Sequence, residues 1–438
     1  MLISVRALDK LCVILCVTAL SGCLAVPAKR ASMNQLLDSG RIVEAAQVAE
    51  SQDQYGDDVL SSLNKGILRR MTGDFKGSNR IFERAKRKID DLYGVSIGDQ
   101  LAAVTINDTL RDYSGDRYEQ VILHAYMALN YLELGLPDSA RVEMLQADVK
   151  MREWGEQPEE DPFVRYLSGI IFDMLGEYDE AVIAYRKAIN AYRDTAHKQQ
   201  TGVPYQLRAD LLDALHKADR KQEYRQLAEQ FRMTKYRPAG RDTSTVVVVL
   251  NNGAAPRRRQ HAIQSFATEI ENMVRIALPK YDSGKPLLKT PVLKVAEIET
   301  AFYKVHDIDA LARHALDEEM PVITARALAR AVVKHQASER AKEESGLAGF
   351  ITKIASIATE QADTRSWTTL PQEIQVIRVR VPAGQHDLVI EMRNAAGYTV
   401  DTIRRSVNVP AGGSAVTSAH WVAPVVLPAQ TTTTAAAQ

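Results

Sequence analysis

The stretch Gly169 to Ile189, GIIFDMLGEYDEAVIAYRKAI, reads as the end of one helix, a tight turn and most of a second helix. Gly176 marks the turn, because glycine takes the left-handed conformation that closes a helix without steric cost. Gly169, Ala181 and Ala188 are small and let two helix backbones approach closely, whereas Tyr185 is large enough to fill the groove against a following helix pair. The same spacing occurs twice more. Gly66, Gly73, Phe75, Phe82 and Ala85 form one set, and Ala128, Gly135, Ala140, Met144 and Ala147 form another. In all three the turn glycine lies seven residues after a small residue and twelve before an alanine.

These offsets resemble the tetratricopeptide repeat (TPR), a helix–turn–helix unit of about 34 residues. The resemblance implies a helical solenoid over residues 33–237. LLDSGRIVEAAQVAE adds a half-match, with Gly40 thirty-three residues before Gly73. The spacing then widens to sixty-two residues before Gly135 and forty-one before Gly176. The first gap predicts an insert near Tyr93–Asp116 with an extra helix at Ile97–Arg111, and the second an acidic loop at Trp154–Asp161. Helices at Leu207–Lys217 and Gln222–Phe231 close the stack, since a terminal unit must cover its apolar face. Such an array presents a concave surface for a peptide or protein partner. Tyr126 and Tyr131, on the helix HAYMALNY, are candidate partner contacts; the alternative is packing and inter-helix hydrogen bonding.

The texture changes near YRPAG, Tyr236–Gly240. Thr245–Leu250 (TVVVVL) is short and β-branched, followed by a turn at Asn251-Asn252-Gly253. Val274–Pro279 and Ala301–Val305 are further strand candidates. Two helical segments follow, Ile308–Glu319 with Val322–Lys342 and then Leu347–Gln361, before strands at Ile374–Val381, His386–Arg393, Tyr398–Val409 and Ser414–Trp421. Ile377, Val379 and Val381 alternate with Arg378 and Arg380, which predicts one buried and one solvated face. The turn Val381–His386 running into Leu388–Ile390 resembles hairpins of small immunoglobulin-like domains on bacterial surface proteins. Residues 243–425 are therefore expected to form a β-rich, sandwich-like domain with a helical insertion at about 308–361, and residues 426–438 a disordered low-complexity tail. The fold class is α+β.

The 55 basic and 55 acidic side chains of this 438-residue chain balance, so no electrostatic footprint for nucleic acid exists. Its three cysteines, Cys12, Cys16 and Cys23, all precede residue 24, which excludes a disulfide framework or a cysteine metal site in the body. Arg6 and Lys10 precede the apolar run Leu11–Leu20, too short to span a bilayer of about 30 Å but suited to a signal-peptide core. Leu20-Ser21-Gly22-Cys23 then resembles the lipobox of bacterial lipoproteins. The resemblance implies cleavage after residue 22, acylation (palmitate among the chains) at Cys23 and a tether over residues 23–32. Leu24, where an aspartate would retain the protein at the inner membrane, implies the outer membrane, facing the periplasm.

No catalytic constellation occurs in its proper context: there is no Walker loop, no HExxH and no paired Cys–His spacing. Asp307 and Asp309 in HDID sit where a helix starts and read as an N-cap rather than metal ligands. Arg257 and Arg258, in the turn NNGAAPRRR, are candidates for an anionic group or lipid headgroup, or are simply solvated. Arg365 and Trp367, in ADTRSWTTLP, are candidate partner contacts; alternatively Asp363 pairs with Arg365 to fix the turn while Trp367 packs on the sheet. Arg326, Arg330 and Lys334 lie on one helical face, and Gly346–Ala358 is apolar enough to touch lipid or to pack on the sheet. No catalytic residue, metal, cofactor or small-molecule substrate is expected.

Taken together, the lipobox, the TPR-like helices, VVVVLNNGAAP, ITARALARAVVK and ADTRSWTTLP resemble a family of proteobacterial TPR lipoproteins to which no activity attaches. The helical half also resembles pilus pilotins and scaffolds of murein hydrolases. The resemblance implies an envelope scaffold that binds proteins through its TPR surface. A regulator of peptidoglycan enzymes, a pilus or secretion assembly factor, and an unrecognised hydrolase are the alternatives.

Overall fold

The computed structural model describes residues 32–51, 59–99, 112–154, 160–199, 201–282, 289–344 and 361–422. The signal segment, Cys23, the tail and most of the expected helices at Ile97–Arg111 and Leu347–Gln361 lie outside these residues.

The helical half begins with α1 (residues 32–38) and α2 (Ile42–Glu50). Three pairs follow: α3 (Val59–Met71) with α4 (Phe75–Asp99), α5 (Arg117–Glu133) with α6 (Pro137–Arg152), and α7 (Pro162–Met174) with α8 (Tyr178–Asp194). The short α9 (Ala196–Gln199) leads to a last pair, α10 (Tyr205–Lys217) and α11 (Lys221–Gln230). Gly73, Gly135 and Gly176 are all left-handed at the pair turns, as the spacing requires. The last pair turns the same way on Asp219, at φ 58°. Its following amide, Arg220 N–H, donates to Leu215 O as Glu177 N–H does to Phe172 O. Aspartate tolerates the left-handed region well enough to stand in for glycine, so the terminal pair is a repeat whose marker residue has changed.

Close approach explains the small residues. A Cβ on Gly66 would lie 2.1 Å from the Phe82 ring, and one on Gly169 2.3 Å from the Tyr185 ring. The aromatic ring occupies the space that a side chain would need.

The second half holds two four-stranded sheets. The inner sheet has the order β10-β1-β7-β6, made of β10 (Ser414–Trp421), β1 (Thr245–Asn252), β7 (Glu373–Arg380) and β6 (Tyr303–Asp307). β1 runs parallel to β10 and antiparallel to β7. The outer sheet has the order β5-β4-β8-β9, made of β5 (Ile298–Ala301), β4 (Lys289–Val295), β8 (Gly384–Asn394) and β9 (Thr399–Val409). Val246, Val248, Leu250, Ile377 and Val379 of the inner sheet meet Leu293, Leu388, Ile390 and Met392 of the outer in one apolar layer. This is a β-sandwich. β7 and β8 lie in different sheets, so the turn expected to close a hairpin after Val381 instead carries the chain across the sandwich.

A separate two-stranded hairpin, β2 (Arg258–Ala267) with β3 (Asn272–Tyr281), stands outside both sheets. The arginine run read as a turn is the start of β2. The two helical segments expected before residue 343 are one helix, α12 (Ile308–Glu344), which passes through Pro321. Asp307 caps it, accepting the Ala310 amide at 2.9 Å.

The other face of the inner sheet is not solvated. Val247, Val249, Ile374 and Val376 enter the same core as Leu63, Phe82, Tyr126 and Leu167 of the array. The first helices of the pairs face the sheet, and nearly every residue of α3, α5 and α7 is buried. The chain is thus layered: array, inner sheet, outer sheet.

Candidate functional site

The face of a TPR-like array that usually receives a partner is covered here by the chain itself. Residues 361–372, between α12 and β7, run as an irregular strap across α3, α4 and α5. At its centre Trp367 is 1% exposed and meets Phe82 and Tyr126 edge-on, with ring centroids 6.0 and 6.1 Å away. Edge-to-face packing places the positive ring edge on a negative ring face. Phe82 can present its ring there because Gly66 leaves room for it.

Polar groups from the array hold the strap backbone. The Trp367 amide donates to Glu119 Oε1 at 2.9 Å, and the Thr369 amide and hydroxyl donate to Asn64 Oδ1 at 3.3 and 3.0 Å. The Trp367 indole N–H donates to Thr369 Oγ1 at 3.0 Å, and the Thr368 hydroxyl to Asn34 Oδ1 at 2.9 Å. Glu119 also accepts the Asp116 amide at 3.1 Å and the Tyr113 hydroxyl. Burial, reinforced by the neighbouring Asp116 charge, pushes the Glu119 carboxyl up to about 7.

Further along the seam, β1 and β10 dock on α5. Tyr126 donates to Asn251 Oδ1 at 2.9 Å, and Glu133 accepts the Ser418 amide and hydroxyl, each at 2.6 Å. Arg70 is buried among Asn130, Ser418 and His420, and burial lowers its guanidinium to about 10. His306 Nε2 on β6 lies 2.7 Å from Asp161 Oδ2, while Asp161 Oδ1 caps α7 through the Val164 amide at 2.9 Å.

On β7 the expected solvated arginine face meets acids of the array, with Arg378 buried and Arg380 still partly exposed. Arg378 donates to Asp173 Oδ2 at 2.8 Å and lies 3.6 Å from Asp210, and Lys217 donates to Asp173 Oδ1 at 2.7 Å. Burial alone would push Asp173 up, but Arg378 and Lys217 together hold it below the usual carboxylate range. Arg380 reaches Asp213 at 3.3 Å and the Tyr236 hydroxyl at 2.9 Å. The alternation at residues 377–381 was read for one layer, whereas a second layer supplies counter-charges. The signal lay in Asp173, Asp210 and Asp213 on the first helices of the last two pairs.

The candidate contact residues Tyr126, Tyr131, Arg257, Arg258, Arg365 and Trp367 pack or pair within the chain, whereas Cys23 lies outside the described residues. Tyr126 is buried in the seam, and Tyr131 is half-buried against the main core. Arg257 makes a two-pronged pair with Asp38, both bonds 2.8 Å, and Arg258 pairs with Asp116 at 2.6 Å across the Tyr281 ring. Arg365 pairs with Asp363 at 2.8 and 2.9 Å, as the turn reading had it, and lies over Tyr113. Trp367 packs on the array rather than on the sheet. Of the Arg326 face, Arg330 is buried. Asn64 and Glu119 were not singled out, because a polar side chain in the middle of α3 looks solvated in one dimension and Glu119, at the third position of α5, reads as no more than a capping-box partner of Asp116.

The string GVSIG at Gly94–Gly98 has the letters of a nucleophile elbow, but it lies within α4 rather than on a strand-to-helix turn. Among the described residues no group of three His, Cys, Asp or Glu is placed to hold a metal, and no helix is long and apolar enough to cross a membrane.

A TPR-like solenoid folded shut on a β-sandwich is the class this architecture defines. Among solved structures the chain is similar to MamA of AMB-1, at 16% identity and a TM-score of 0.31, over 48% of this chain and 92% of that one. It is similar to MamA of Desulfovibrio magneticus RS-1 at 15% identity and a TM-score of 0.32, over 48% and 92%. A Podosopora anserina protein of nearly identical TPR-like repeats matches at 12% identity and a TM-score of 0.32, over 48% and 95%. No protein-family model matches the chain, and no curated protein matches it.

Proposed function

We propose that this chain is a non-catalytic scaffold of the bacterial envelope, acylated at Cys23, held at the outer membrane and facing the periplasm, that gathers proteins on its outer surfaces. One observation carries the second half of that reading: the first-helix face is filled by residues 361–372 and the inner sheet. An open array takes its partner in that face; here the array is used to present a rigid exterior. That exterior includes exposed aliphatic side chains on α6 and α8, among them Val142, Leu145, Val149 and Ile183. Anchoring then acts by concentration, since partners held near one membrane meet at far higher effective concentration.

Photo-crosslinking in cells tests the reading. A crosslinker at Leu145 or Ile183 should capture other proteins, and one at Asn64 should capture only the chain's own strap. Capture of another protein from position 64 at comparable yield would overturn it. The anchor is tested separately by Cys23→Ala, which should move the protein from the membrane fraction to the periplasmic one.

A further inference from the structure

The second helices of the pairs form the outer face of the array, and two neighbours on it differ in chemistry. α4 and α6 lie side by side and run parallel: Lys86 Nζ donates to Gln146 Oε1 at 2.8 Å, and Lys150 Nζ to Asp90 Oδ1 at 2.9 Å. Residues 60 apart in the sequence are therefore level across the groove between them.

On α4 the outward strip is basic. Lys76, Arg80, Arg84 and Arg87 are exposed, fall within about 80° of the helix circumference and span about 16 Å along it. Among the described residues none of the four is ion-paired. The acids on the α6 side of the strip are paired: Glu83 with Lys86 at 2.7 Å and Asp90 with Lys150. Asp91 closes the strip at its far end. Lys76 stands in the first turn, where the helix dipole disfavours a cation, so local helix stability does not account for it.

On α6 the outward strip is apolar. Val142, Leu145 and Val149 are 47%, 49% and 51% exposed and lie within about 60° of one another. By the offset between the helices they are level with residues 82–89, so the ridge runs beside the arginines rather than beyond them. α8 lies on the other flank of α6, joined to it by Arg141 and Glu177 at 2.8 Å, and exposes Asp179 and Glu180. Charge thus changes sign across three adjacent helices. A flat anionic bilayer laid over them would be drawn to α4 and repelled at α8, whereas a helix about 10 Å wide covers one groove alone.

We propose that the groove between α4 and α6 receives an acidic amphipathic helix of a partner protein. Its apolar stripe would lie on Val142, Leu145 and Val149, and its carboxylates along Lys76, Arg80, Arg84 and Arg87. This rests on the exterior-scaffold reading above and is independent of the anchor. The ridge supplies the apolar seat of helix-in-groove recognition, and the one-sided charge fixes which way the helix is turned and speeds its encounter.

A synthetic helix of about 18 residues, with leucines at i, i+3, i+4 and i+7 and glutamates along one flank, is the probe. Its twin carries lysines in place of the glutamates. The mature chain with Cys23→Ser supplies the protein without an acyl group. Fluorescence anisotropy should show the glutamate helix bound and the lysine helix bound about tenfold more weakly, a gap that narrows in high salt. Combining Arg80→Glu, Arg84→Glu and Arg87→Glu should invert the preference, which an unfolded chain could not do. Leu145→Asp should weaken both helices. Equal binding of the two, or binding of neither, overturns the proposal. So does capture of phosphatidylglycerol vesicles through the three arginines without binding of the glutamate helix. Any of these results leaves the exterior reading standing, since other outer faces remain. A glutamate helix that binds and crosslinks instead to a photoreactive group at position 64 overturns both.

Discussion

The inner and outer sheets are built from similar numbers of strands yet live under different constraints. Every residue of β1 is buried, because the sandwich covers one face and the array the other. Along β9 most residues are exposed, because only the sandwich face is covered. A strand with two covered faces has two solutions. β1 is apolar on both, the VVVVL run, whereas β7 keeps charge on the array face and meets it with acids from α7 and α10. A middle layer is therefore made either by removing charge or by matching it.

The largest expected effect breaks the middle layer at the strap. Trp367→Ala removes a side chain packed against Phe82 and Tyr126, for which truncation costs about 3–5 kcal/mol. Urea unfolding should show that loss and split into separate transitions for array and sandwich. A loss under about 1 kcal/mol would mean that the strap is not held as described. Next comes the charged solution. Arg378→Met leaves Asp173 and Asp210 buried with less counter-charge, at a cost of about 2–4 kcal/mol. Arg380→Met, on the same face but with its side chain 41% exposed, should cost under about 1 kcal/mol. Equal losses from the two would remove the distinction between matched burial and surface pairing.

How much of this was legible follows the range of each signal. The repeat was legible because Gly66, Gly73 and Phe82 act within one helix pair, and the sandwich because strand alternation is local. The left-handed turn at Asp219 was not, since aspartate carries no unique turn signature. β2 was missed because the arginines at its start and the glutamines and histidine after them read as solvated loop, as an exposed ribbon must. The seam was invisible for a stronger reason. Trp367 and Glu119 are 248 residues apart, and nothing along one chain says that a polar side chain on a TPR-like helix will accept an amide from a distant strap. Arg378 shows the same gap: its periodicity was right and its environment was not.

The seam also makes stability depend on pH. Glu119 titrates near 7 in the folded chain against an ordinary value of 4.5. The folded chain thus holds a proton that the unfolded chain has lost, and stability falls as pH rises through that window. The full span is worth roughly 3 kcal/mol, nearly complete by pH 8. Glu119→Gln should flatten the dependence of the urea midpoint between pH 5 and 8, and an unchanged slope in that variant would assign the effect to another group. Asp213, raised to about 6 by burial, leaves a smaller residual slope of the same sign below pH 6.

The smallest effect isolates the comparison from side-chain chemistry. Valine and threonine are nearly isosteric and both suit strands, so one exchange can be made in both sheets. Val248 is wholly buried at the centre of β1, where a hydroxyl without a partner costs about 1–3 kcal/mol. Val400 is 45% exposed on β9, at a register shift that leaves it without a cross-strand partner. Val400→Thr should therefore change stability by less than about 0.5 kcal/mol. If the two exchanges cost the same in urea unfolding, the outer sheet has a second covered face as well, and an unseen partner or a second copy must be supplying it.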